Sequence, residues 1–159
     1  MSITENGKVF VHSVMNKTVQ THEQKEIIPK KEKVINAEVV LDPKKQDDWF
    51  LIVITTKNIF LQHFVKKSFN NEVLVKNLTP FESMKSLGAV LFCSSASEVS
   101  IFYIISHPTL AMKPLNTISN FSAQKLMVHQ NKLIAINGNK ITVYNVAKNV
   151  NFIFIFFFF

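Results

Sequence analysis

The strongest constraint on this chain is a pattern that returns. Segments 51–64, 91–104 and 133–146 align without gaps, the second starting 40 residues after the first and the third 42 after the second. Six of the fourteen aligned columns are apolar in every copy: those of Leu51, Ile52, Val53, Ile59, Leu61 and Phe64. The columns of Thr55, Lys57 and Asn58 are polar throughout. An apolar run, a short polar break and a second run with apolar residues at alternate positions read as two strands joined by a tight turn. In the third copy the break is Asn137-Gly138-Asn139, residues that accept positive φ; in the second it is the small, polar stretch from Ser94 to Ser97. The first strand of each pair is apolar on both faces, as in a sheet covered on both sides.

An interval near 40 residues leaves room for two more strands per unit. Segments 34–40 and 123–129 read as strands leading into hairpins, and 71–76 as one following a hairpin. Four strands at this period make one propeller blade, and such units hide their apolar faces by stacking. The expected fold is all-β: a partial or incomplete β-propeller of four-stranded antiparallel blades over 34–77, 78–119 and 120–150. Within 1–22, Val9-Phe10-Val11 and Thr18-Val19-Gln20 form a hairpin pattern, a possible partial blade. Residues 23–33, with polar character from Thr21, read as a charged loop or linker. Propellers close with about four to eight blades, so the chain reads as truncated or completed by a partner. Segment 151–159 is a low-complexity, Phe-rich tail. It could pair as a last strand, touch a membrane surface, or be the translation of a T-rich stretch beyond a true exon. The last reading is preferred.

Val39-Val40-Leu41-Asp42-Pro43 followed by Trp49-Phe50-Leu51-Ile52-Val53 resembles divergent blades of WD-repeat-like β-propellers. So does Lys132-Leu133-Ile134-Ala135-Ile136 with Ile141-Thr142-Val143-Tyr144-Asn145-Val146. The likeness runs over 34–146. The Trp-Asp dipeptide and Gly-His pair of typical repeats are not present. The resemblance implies rigid blades that display loops at one rim to protein partners.

Composition narrows the remaining chemistry. At 47% hydrophobic, the chain is far too apolar to be disordered throughout. All 18 basic residues are Lys, and the net charge is +7. After Trp49 stand ten Lys against Glu72, Glu82 and Glu98, a basic surface of the kind that attracts polyanions. The planar Arg fork that usually reads bases and phosphates is missing, so nucleic acid is the less favoured partner. Cys93 is the single cysteine, which excludes an internal disulfide and a cysteine-built zinc site; in its apolar run it reads as a buried, inert thiol. No segment reaches the ~20 apolar residues of a membrane span, and the N-terminal residues lack a secretory pattern. An intracellular location, cytoplasmic or nuclear, is expected.

No catalytic constellation is legible. His12, His22, His63, His107 and His129 show no metal-ligand spacing. His63 reads as an edge or surface imidazole. Asp42, Asp47 and Asp48, interleaved with Lys44 and Lys45, read as a solvated loop between blades. Gly7, Gly88 and Gly138 stand apart and cannot form a phosphate cradle. Neither enzymatic activity nor a cofactor or metal is expected. Lys30, Lys31 and Lys33 match a nuclear-import cluster. Interaction loops are expected over 42–48, 106–113 and 137–140, with Asp42, Asp47, Asp48, His107, Asn137 and Asn139 as candidates. The expected function is a non-enzymatic protein–protein interaction scaffold, a fragment or subunit of a larger intracellular complex. The alternative is a nuclear or nucleolar RNA-associated propeller protein using its Lys-rich surface.

Overall fold

The computed structural model describes every residue except 1, 6, 16, 17, 29–31, 43, 44, 46, 47, 66, 67, 77–79, 107, 150, 151, 158 and 159. Four antiparallel sheets follow one another along the chain, and among the described residues there is no helix. Sheet I holds β1 (Ser2–Ile3), β2 (Lys8–Met15) and β3 (Thr18–Glu26). Sheet II holds β4 (Val34–Leu41), β5 (Trp49–Thr55), β6 (Asn58–Val65) and β7 (Ser68–Lys76). Sheet III holds β8 (Ser83–Leu87), β9 (Val90–Ser94), β10 (Glu98–Ile105) and β11 (Ala111–Ser119). Sheet IV holds β12 (Lys125–His129), β13 (Lys132–Asn137), β14 (Lys140–Asn149) and β15 (Phe152–Phe157). Each sheet is a meander in which neighbours in sequence are neighbours in space.

Side-chain alternation along each strand assigns residues to faces, and the faces form three separate cores. Val9, Ile27 and Ile28 meet Leu51, Val53, Phe60 and Phe64 between sheets I and II. Phe50, Ile52, Ile54, Ile59 and Leu61 of sheet II meet Met84, Leu91, Cys93 and Ile104 of sheet III. The other face of sheet III sends Phe92, Val99 and Ile101 against Leu126, Leu133, Ala135, Tyr144 and Val146 of sheet IV. Sheets II and III are therefore apolar on both faces because both faces are covered. The first strands of successive sheets lie side by side, β8 between β4 and β12. Polar ties hold this edge: Lys85 Nζ and Ser86 Oγ donate to the Glu38 carboxylate at 2.7 and 3.1 Å. Ser94 Oγ donates to the Ala123 carbonyl at 2.7 Å, and Ser83 Oγ accepts from the Leu126 amide at 3.1 Å.

The 40-residue period reaches down to single hydrogen bonds. In the β5–β6 turn, Thr55 Oγ1 accepts from the amides of Lys57 (3.3 Å) and Asn58 (2.9 Å) and lies 3.0 Å from the Asn58 carbonyl. In the β9–β10 turn, Ser95 Oγ accepts from the amides of Ser97 (3.4 Å) and Glu98 (3.2 Å) and lies 3.4 Å from the Glu98 carbonyl. A buried hydroxyl at the turn's first position thus replaces the backbone partners that the tight reversal cannot supply. The β13–β14 turn has Asn137 there and reverses instead through Gly138 at φ 55°. Glu32 reaches over the first turn, accepting from Thr55 Oγ1 and, at 2.7 Å, from Asn58 Nδ2.

One stretch differs from expectation. The loop expected from Thr21 onward is strand as far as Glu26, and Ile27 and Ile28 are buried in the first core. Gly7, at φ 76°, makes room for Ile28, whose Cβ a side chain at position 7 would strike. The flanking charges hid two adjacent apolar anchors. The Phe-rich tail pairs along β14, with Phe152 opposite Asn149 and Phe157 opposite Tyr144, and supplies the fourth strand of sheet IV.

Because the two hydroxyls do equivalent work in separate sheets, Thr55→Ala and Ser95→Ala should each lower the unfolding free energy by about 1 kcal/mol. The two losses should roughly add, since the sites lie in different sheets and share none of their described partners. Urea denaturation of the single and double variants measures this; unchanged midpoints would show that the turns do not depend on the hydroxyls.

Candidate functional site

Two features stand out, one apolar and open, the other polar and buried. The open feature is the outward face of sheet IV. On β13 and β14, Leu133, Ala135, Tyr144 and Val146 go into the core shared with sheet III, so Ile134, Ile136, Ile141 and Val143 lie on the opposite face. Register aligns Met127 with Ile134 and Ile134 with Val143, and Ile136 with Ile141, so the five side chains form one patch. The repeat gives this patch its meaning. Ile134, Ile141 and Val143 occupy the columns of Phe92, Val99 and Ile101 in sheet III and of Ile52, Ile59 and Leu61 in sheet II. Those six are at most 1% exposed, each set pressed against the following sheet, whereas Ile141 is 66% and Val143 39% exposed. Lys125, His129, Lys132 and Asn145 border the patch.

The polar feature corrects the reading of Asp42, Asp48 and His63. Asp42 and Asp48 are not solvated and His63 is not at an edge; all three are buried. Asp42 follows β4 and Asp48 precedes β5, and the Asp42 amide donates to the Asp48 carbonyl at 2.9 Å, closing the loop over the end of the sheet. Turn bonds from the Lys45 amide to the Asp42 carbonyl and from the Asp48 amide to the Lys45 carbonyl fix it further. His63 sits on β6, an inner strand paired on both sides. It is opposite Phe50, with the two rings stacked 4.6 Å apart. The β6–β7 register shifts between Gln62 and His63. His63 Nε2 lies 3.8 Å from Asp42 Oδ2 and 3.9 Å from Asp48 Oδ2. The three donor atoms all lie within 4.8 Å of one another, a grouping that could hold a metal ion. Lys45, half-exposed, is 3.7 Å from Asp48.

The other expected site residues scatter. Asn137 and Asn139 are exposed on the β13–β14 turn. Asn137 Nδ2 donates to Ser122 Oγ, and Gln124 Oε1 accepts from the Gly138 amide. A shallow cleft of about 130 Å³ lies here between Asn120, Phe121, Asn137 and Lys140, well below the volume of ordinary ligand pockets. Lys33 is exposed; Lys30, Lys31, Asp47 and His107 lie outside the described residues. Both main features had a legible signal. Ile59, Leu61 and His63 alternate on one face, so a strand buried there must bury the imidazole. The third copy keeps the apolar columns of the first two, so its face is built as if to be covered.

No family model and no curated protein matches the chain. Among the described residues, no helix is long and apolar enough to cross a membrane.

Cys93 offers no nucleophile to either feature. It is fully buried in the core between sheets II and III, and desolvation pushes its thiol well above the ordinary range, so the reactive thiolate is withheld. The folded chain at about pH 8 should resist iodoacetamide, while the urea-unfolded chain reacts as a free thiol does. Comparable labelling rates in the two states would contradict the packing of this core.

Proposed function

We propose that this chain is a non-enzymatic protein–protein interaction scaffold, a partial propeller-like array that docks a partner through the outward face of sheet IV. The observation that carries the reading is the fate of three repeat columns. They are buried against a following sheet in two copies; in the third, Ile141 and Val143 are exposed and Ile134 is half-buried, and no following sheet is present among the described residues. The partner chemistry follows: an apolar sheet face with polar or acidic margins, able to lie over Met127, Ile134, Ile136, Ile141 and Val143 between flanking lysines. Each large aliphatic side chain so covered contributes up to roughly 1.5–3 kcal/mol, and a patch of this kind on a soluble chain marks an interaction site. Four stacked sheets with neighbouring first strands support the propeller-like part of the reading, and the subunit role in a larger assembly within the cell follows from it. The warrant for the role is partly one of fold-level analogy.

The test replaces Ile141 and Val143 together by Glu. Both side chains lie away from the cores, so the unfolding free energy from urea denaturation should stay within roughly 0.5 kcal/mol of the parent's. Quantitative affinity capture from cells should show a set of proteins bound by the parent chain and lost from the double variant. Identical sets with parent and variant would remove this face from the function.

A further inference from the structure

We propose that Asp42, Asp48 and His63 form a binding site for one divalent transition-metal ion of the zinc class, which staples the β4–β5 loop to the inner strand β6. One imidazole and two carboxylates are an ordinary donor set for such an ion, three protein ligands with a further position left for water. Metal–ligand bonds of about 2.0–2.2 Å place the donors of a four-coordinate ion roughly 3.3–3.6 Å apart. The observed 3.8 and 3.9 Å exceed this by a few tenths of an ångström, within reach of small side-chain rotations. Both distances are longer than a hydrogen bond.

A second, independent observation points to an ion. Asp48 Oδ2 is buried, its side chain only 8% exposed, and it accepts no hydrogen bond from any described residue. A buried carboxylate oxygen without a donor is costly, and two buried carboxylates at one imidazole more so. The described cation beside them, Lys45, has a side chain 53% exposed and stands outside the burial. A divalent ion would neutralise both carboxylates and use the Asp48 Oδ2 that no described donor hydrogen-bonds. The scaffold is arranged to hold it: the Asp42–Asp48 backbone bond ties the ends of the loop together, and stacking on Phe50 holds the ring. The site lies on sheet II and does not depend on the open face of sheet IV.

Titration of the metal-stripped full chain with Co²⁺, the spectroscopic substitute for Zn²⁺, tests the site. The expected result is a visible d–d band that saturates at one equivalent and is abolished by competing Zn²⁺. Absence of the band overturns the proposal. Asp48→Asn keeps the side-chain shape and should weaken binding at least tenfold, whereas His129→Ala, at an exposed imidazole, should leave it unchanged. Equal affinity of Asp48→Asn and the parent overturns the proposal. If Asp48→Asn fails to fold, paramagnetic broadening in the parent chain decides: loss of the His63 ring signals at substoichiometric Co²⁺ supports the site. Loss confined to the other histidines overturns it.

Discussion

A sheet that is apolar on both faces cannot remain exposed, and everything else in this molecule follows from the way its four sheets meet that constraint. Sheet II covers its two faces with sheets I and III, and sheet III with II and IV. The largest fully buried side chains, among them Phe50, Phe92, Tyr144 and Ile101, all belong to these interfaces and not to a single central core. Burial is thus shared between neighbours, and each sheet's stability depends on the sheet beside it, the nearest-neighbour logic of repeat proteins.

Apolar faces fix which sheets touch but leave sliding to be suppressed by something directional. The polar ties do this at the first strands. Glu38 takes Lys85 and Ser86 between sheets II and III, Ser94 bonds the Ala123 carbonyl just before sheet IV, and Ser83 bonds the Leu126 amide within it. The pair between Lys85 and Glu38 is partly exposed and contributes little energy of its own; its use is register. The buried Ser94 and Ser83 bonds matter more, because losing a partner there would strand a polar group in the core.

Much of this was legible in the sequence because two strand periods coincide in it. Alternation within strands and recurrence between units together place Ile52, Ile59 and Leu61 with Phe92, Val99 and Ile101, and identify Thr55 and Ser95 as turn residues. What stayed hidden was hidden by charge. Lys25, Glu26 and the lysines that follow made Ile27 and Ile28 look like part of a solvated linker. Lys44 and Lys45 likewise made Asp42 and Asp48 look exposed, although a loop closed by one backbone bond turns both carboxylates inward. Burial of short polar loops depends on tertiary closure over a neighbouring strand, which local composition does not encode. The Phe-rich tail pairs along β14, which was one of the readings its sequence left open.

The claim that consecutive sheets stack and leave one prepared face open is tested most directly by methyl NOEs in the selectively labelled chain. The account predicts cross-peaks linking Ile52, Ile59 and Leu61 to Met84 and Leu91, and linking Val99 and Ile101 to Leu126 and Leu133. It predicts no inter-sheet cross-peaks from Ile141 and Val143 in the isolated chain. Cross-peaks joining Leu61 to Ile101, or Ile101 to Val143, would put matching strands in a single layer and contradict the stacked arrangement.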